Sequence, residues 1–225
     1  MSTPLTDSIE NLTNYINEIT GGSDDNLSDA IATLADGYGS GGYSLKDIAS
    51  GIEPSGDVVM NDGDTIGHSA FYRRINIRSF SSESVTTIQA NAFVNCSGLL
   101  SVNFPNLKYM STSVFGMCPN LEYFNAPKLR SVPTSTFTGN KLKNVVLPDV
   151  IEIQSYAFRA CNLLEKVALA SCTSINNTGF YNVTNNVDIY LPGLESEYTG
   201  APWGARNATV HYNTQFDENG EPILE

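Results

Sequence analysis

The stretch Ile88–Pro105, "IQANAFVNCSGLLSVNFP", returns along the chain with the same spacing of apolar side chains. Its phenylalanine is one of a series at Phe71, Phe93, Phe115, Phe137, Phe158 and Phe180, separated by 22, 22, 22, 21 and 22 residues. An aliphatic stands five residues before each: Ile66, Ile88, Met110, Val132, Ile153 and Ile175. Six residues after come Ile77, Leu99, Leu121 and, one residue early, Leu142, then Leu164. Nine after come Phe80, Val102, Phe124, Val145 (again one early), Val167 and Ile189. A period near 22 is too short for a helix pair and suits one coil of a solenoid. Within each unit the segment around Leu99–Pro105 alternates apolar and polar residues, which predicts a short strand. The proline that often follows has no N–H to give and ends the ladder.

Stacking such coils pairs the strands into a parallel sheet and brings the phenylalanines into one column. Departures from the pattern are local. Ser82 replaces the apolar residue at the end of the first unit, Ala170 replaces the proline, Asn186 replaces a leucine, and the unit at Phe137 is one residue short.

The motif I-x-x-x-A-F-x-x-C-x-x-L-x-x-V-x-x-P resembles the BspA-like leucine-rich repeat. Its best matches are the opening stretch and "IQSYAFRACNLLEKVALA", and the resemblance covers roughly 64–194. The resemblance implies a curved solenoid whose strands line one face and serve adhesion or recognition, without catalysis. The predicted class is therefore α+β: a solenoid of about six 22-residue coils with a parallel sheet, preceded by a short helical module.

Four segments follow from composition and pattern. Residues 1–42 read as a helical attachment or oligomerisation module with a glycine-rich joint, and 43–65 as linker and N-terminal cap. The repeats span 66–194, and 195–225 form a C-terminal cap. In the first segment Thr3 and Pro4 open a helix on which Leu5, Ile9, Leu12, Ile16 and Ile19 make a 4-3-4-3 apolar seam. Leu27, Ile31 and Leu34 repeat that spacing after "GGSDDN". Helices this short are marginal alone and pack on each other, on copies of themselves or on a partner. The stretch "ITGGSDDNLSDAIATLADGYGSGG" resembles N-terminal modules of phage and prophage tail-appendage proteins. That resemblance implies attachment to virion tail proteins and a homo-oligomer. In the C-terminal cap, Trp203 is expected to plug the last coil and Thr209–Asn213 to add a final strand.

The net charge is -12, distributed unevenly. Residues 1–65 carry twelve acidic side chains and one lysine, 66–194 six acidic and ten basic, and 195–225 six acidic and one arginine. The total argues against nucleic acid as a partner. No apolar run approaches the roughly 18 residues of a membrane span, and "MSTPLTDSIENL" lacks the basic start and apolar core of a signal peptide. A virion tail protein made in the bacterial cytoplasm fits that start; a bacterial cell-surface adhesin is the alternative.

Signs of chemistry are sparse. His68 and His211 stand in different repeat contexts, and no catalytic or metal motif occurs. No cofactor is expected. Glu122 and Glu165 share a repeat position two coils apart, about 10 Å at strand spacing, and represent the remote alternative of a glycan-active pair. "NDGD" (61–64) and "DENGE" (217–221) read as acidic turns. Cys96, Cys118 and Cys161 stand three residues after the repeat phenylalanine, where Val183 also occurs. That tolerance favours a small packed side chain and leaves a Cys96–Cys118 disulfide open.

The candidate site is therefore a surface, formed by strand residues that point away from the core. Ser101, Asn103, Tyr123, Asn125, Asn144, Lys166, Asp188 and Tyr190 are the chosen positions. Tyr, Asn and Ser are the residues adaptable recognition surfaces use, and the expected ligand is a bacterial surface polysaccharide or protein.

Overall fold

A computed structural model describes residues 55–60 and 62–224. The expected helical module, with its seam from Leu5 to Ile19, lies outside the described residues. What is described is a parallel β-solenoid, six of whose coils are numbered here by their phenylalanines, from Phe71 (coil 1) to Phe180 (coil 6).

Two strips of parallel strands run along it. The longer strip begins with β1 (Gly56–Val59), β3 (Ile77–Ser81), β5 (Ser101–Asn103) and β7 (Tyr123–Asn125), hydrogen-bonded in that order. It continues with β9 (Asn144–Val146), β11 (Lys166–Ala168), β13 (Asn186–Tyr190) and β14 (Asn207–His211). The shorter strip holds β2 (Thr65–Ile66), β4 (Thr87–Ile88) and β6 (Tyr109–Met110). It ends with β8 (Ser131–Val132), β10 (Glu152–Ile153) and β12 (Ser174–Ile175). Two details differ from the sequence expectation. Residues 56–59, read as linker and cap, form a strand paired with β3, with Val58 buried. The last strand is Asn207–His211, two residues earlier than expected, because its Val210 pairs with Ile189 in register with the coil before it.

The repeat phenylalanines stack face to face at ring separations of 4.9, 5.2, 5.9, 5.3 and 5.1 Å. Each ring contact contributes about 0.5–1.5 kcal/mol beyond burial. All six are fully buried, and Trp203 continues the column past Phe180 at 6.4 Å. Its Nε1–H donates to the Thr199 carbonyl (2.9 Å), which allows an indole to be buried there.

The cysteine slot explains itself in this stack. The carbonyls of Phe71, Phe93, Phe137, Phe158 and Phe180 each accept the N–H of the residue three positions on, as Phe93 O does from Cys96. A second lone pair is taken by the side chain of the next coil: Cys96 Sγ donates to Phe71 O (3.0 Å), Cys118 Sγ to Phe93 O (3.0 Å) and Cys161 Sγ to Phe137 O (2.9 Å). In the short coil Asn140 Nδ2 substitutes, reaching Phe115 O at 3.3 Å and Cys118 O at 2.8 Å. The four cysteines are free and buried, so no Cys96–Cys118 disulfide forms. Burial pushes the Cys161 thiol up to about 12 and that of Cys172 up to about 11.

In coils 1–5 the turn around the phenylalanine uses two left-handed residues, two before it and two after. The pairs are Ser69 and Arg73, Asn91 and Asn95, Ser113 and Met117, Ser135 and Gly139, and Tyr156 and Ala160. In coil 6 only the second, Asn182, is left-handed. These residues turn the chain so that amides such as Phe71 N–H can meet the neighbouring coil, here Ala92 O at 2.8 Å.

The stack is not uniform. Both strips break between coils 3 and 4, after β7 and after β6. In the shorter strip the amide following each strand bonds back one coil: Gln89 to Ile66 O, Ser111 to Ile88 O and Gln154 to Val132 O. At coil 4 that position is Pro133, which has no N–H to donate. In the longer strip the one-residue shortening moves the link to Lys141 N–H and Leu121 O (2.9 Å), ahead of β9. The widest phenylalanine gap, 5.9 Å, lies at the same boundary.

Candidate functional site

Strand alternation turns two rows of the longer strip outward. One row runs Asp57, Ser79, Ser101, Tyr123 and then Asn144, Lys166, Asp188, Thr209. The other runs Val59, Ser81, Asn103, Asn125 and then Val146, Ala168, Tyr190, His211. All eight chosen site residues thus fall on one strip, but the two halves of that strip differ.

The half over coils 1–3 is open and polar. Tyr123 is 56% exposed, and Asn125 Nδ2 donates to Asn103 Oδ1 (2.6 Å), fixing two side chains that still offer donors and acceptors. Ser101 lies between Ser79 and Tyr123 in the outer row. At its outer end Asp57 accepts from Arg78 and, at 2.7 Å, from Ser79 Oγ. The Arg78 and Ser79 hydrogen bonds hold the Asp57 carboxyl down at about 2.

The half over coils 4–6 is occupied by the chain itself. Beyond β14 the chain folds into a small hairpin bridged between Phe216 and Pro222. Its turn is closed by Asp217, whose Oδ1 accepts the amides of Asn219 and Glu221, both at 2.9 Å. Those bonds hold the Asp217 carboxyl below its ordinary value. The "DENGE" segment is therefore an acidic turn closed on its own backbone. Gly220, at φ +82, is buried so closely on Pro148 that a Cβ would lie 2.6 Å from the proline's. Next to it Glu221 Oε2 meets Lys166 Nζ at 2.6 Å. In coil 6, Asp188 Oδ1 pairs with His211 Nε2 (2.8 Å), and the His211 ring stacks on Tyr190 at 4.3 Å. Tyr190 is only 8% exposed, and burial together with the Asp188 charge pushes its hydroxyl up. So Lys166, Asp188 and Tyr190 have partners within the chain, while Ser101, Asn103, Tyr123, Asn125 and Asn144 face outward. Asp57, Arg78 and the hairpin were not among the predicted site residues. Their pairings join residues a coil or more apart, and the hairpin's contact spans 55 residues without a local signature.

Glu122 and Glu165 are exposed one residue before β7 and β11. Among the described residues, no three His, Cys, Asp or Glu side chains group as metal ligands.

A column of stacked aromatics under a polar strand strip defines a repeat solenoid, a scaffold that presents surface and leaves its interior filled. More specifically, the chain belongs to the BspA-type leucine-rich repeat family, whose model matches six copies over residues 64–193. Among solved structures it is similar to a leucine-rich repeat protein of T. pallidum at 24% identity, covering 60% of this chain and 73% of that one, with a TM-score of 0.48. It is also similar to a leucine-rich repeat protein from Eubacterium ventriosum at 15% identity, covering 77% of this chain and 68% of that one, with a TM-score of 0.47. No curated protein matches the chain.

Proposed function

We propose that this protein is a non-enzymatic recognition protein whose open strand half binds a bacterial surface polysaccharide or protein. The observation that carries the reading is the exposed Tyr123 beside the Asn103–Asn125 pair, on a rigid strip with no covering segment among the described residues. Tyrosine supplies contact area with little rotamer entropy to lose, and the asparagines supply adaptable hydrogen bonds. The proposed setting is a phage or prophage tail, where the segment bearing Leu5, Ile9, Leu12, Ile16 and Ile19 attaches the chain to tail proteins and to copies of itself. The resemblance of residues 19–42 to tail-appendage modules supports that setting, and a cell-surface adhesin would use the same face.

Adsorption of the fluorescently labelled chain to candidate host bacteria tests the face. Tyr123→Ser is expected to reduce adsorption at least tenfold with an unchanged melting temperature, since the ring is exposed. Adsorption equal to that of the unmodified chain would move the site off this strip.

A further inference from the structure

The turn edge of coils 5 and 6 brings together side chains that coils 2–4 do not carry. At the left-handed position two residues before the phenylalanine, coils 1–4 place Ser69, Asn91, Ser113 and Ser135. Coil 5 places Tyr156 there, at φ 57. A bulky side chain in that region carries a strain of about 1–2 kcal/mol. One residue after the phenylalanine, coils 2–4 have Val94, Gly116 and Thr138, whereas coils 5 and 6 have Arg159 and Tyr181; coil 1 has Tyr72, four coils from the nearest of these.

These three exceptions meet. The Tyr156 and Tyr181 rings lie 5.6 Å apart at 89°, forming a corner, and the Arg159 guanidinium sits 5.7 Å over the Tyr156 ring. Both rings remain open to solvent, at 37% and 47% exposure. The backbone beneath them is fixed. Thr178 O accepts the amides of both tyrosines at 3.1 Å, and Tyr181 O accepts that of Ala160 at 3.0 Å. From the capping side Gly204, at φ +88, lies so close that a Cβ would stand 2.9 Å from Tyr181 Cα. Among the described residues Arg159 takes part in no ion pair.

We infer that Tyr156, Arg159 and Tyr181 form a second binding site, for a uronic-acid-bearing polysaccharide. The electron-rich ring faces suit the C–H face of a pyranose. The planar guanidinium fork suits its carboxylate, in a bidentate geometry that a lysine does not offer. A corner held by backbone bonds loses little entropy on binding. Three side chains are far short of the roughly 800 Å² per partner of a stable protein interface. This site is on a different edge from the strand strip and does not depend on its function.

Titration calorimetry of the full chain with polygalacturonate, and with its fully methyl-esterified form, tests the assignment. Polygalacturonate is expected to bind at least tenfold more tightly than the ester. Arg159→Gln should abolish that difference, Tyr181→Ser should weaken both ligands at least tenfold, and Tyr109→Ser, at an exposed tyrosine on β6 outside both faces, should change neither. Melting temperatures of the variants should match the parent, because the substituted side chains are exposed. Absence of polygalacturonate binding, or equal binding by Tyr181→Ser, overturns the inference.

Discussion

The left-handed residues of the turns make a quantitative prediction. Ala160 and Met117 occupy the same position, two after the phenylalanine, at φ 55 and 57, where the short coil has Gly139. An L-residue in that region stores about 1–2 kcal/mol, and replacing it with glycine removes the strain while adding about 0.4–1 kcal/mol of unfolded-state entropy. The net for Ala160→Gly is a stabilisation of about 0.5–1 kcal/mol. Met117 is 57% exposed, so Met117→Gly loses little packing and should gain as much. At about 2–4 °C per kcal/mol for a chain of this length, each substitution should raise the melting temperature by about 1–4 °C. The two sites are two coils apart, about 10 Å at strand spacing, so the double variant should show the sum. Ala157→Gly is the control. That alanine is buried and is not left-handed, so glycine there should lower the melting temperature. Scanning calorimetry reads all four proteins. If Ala160→Gly and Met117→Gly fall alongside Ala157→Gly, the turns are not strained and the reasoning fails.

Two further outcomes follow from burial. The Cys161 thiol keeps its proton up to about 12, whereas the unfolded thiol loses it above its ordinary 9.0. Stability must therefore fall as pH rises past 9, by about 1.4 kcal/mol from this thiol at pH 10. Urea unfolding of Cys161→Val, which places the Val183 side chain type in the slot, should lose less stability than the parent between pH 8 and 10 by about that amount. Equal losses would show the thiol to be hydrated. Gly220→Val adds a Cβ that would lie 2.6 Å from that of Pro148, so the hairpin should lift and the Lys166–Glu221 pair should open. Hydrogen exchange at Ile223, whose amide bonds to Gln215 O at 2.8 Å, should accelerate at least tenfold while Phe158 stays protected. Unchanged exchange at Ile223 would mean the contact with Pro148 does not hold the hairpin down.

The repeat was legible because packing is periodic. The phenylalanines at 22-residue spacing, the apolar positions around them and the outward strand residues are all set by a side chain's place within a coil. The cysteine slot was legible as packing, since Val183 shares it, but not as a donor to the preceding coil's carbonyl, which requires knowing where that carbonyl points. The left-handed pairs escaped notice because Ser, Asn, Arg, Met, Tyr and Ala all occupy them, and only Gly139 carries the usual mark. Pro133 was visible, yet its effect appears only once the amides around it are seen to bond across coils. The covered half of the strip depends on Glu221 finding Lys166 across 55 residues, and no local pattern encodes such a distance.

The break between coils 3 and 4 also bears on how the molecule comes apart. In a stacked array each coil is held by its neighbours, and stability is a sum over those contacts. A missing proline amide, a shifted ladder and the 5.9 Å ring gap all weaken one contact in that sum. The turn ladder still crosses this boundary, as Phe115 N–H does to Thr136 O at 3.1 Å, but the two strips do not, so it is the expected plane of division between two blocks. One, through coil 3, carries Tyr123, Asn103 and Asn125; the other is closed by Trp203 and the hairpin. Under a pulling load or in mild denaturant the array should part at that plane, separating the open half of the strand strip from the half the hairpin covers.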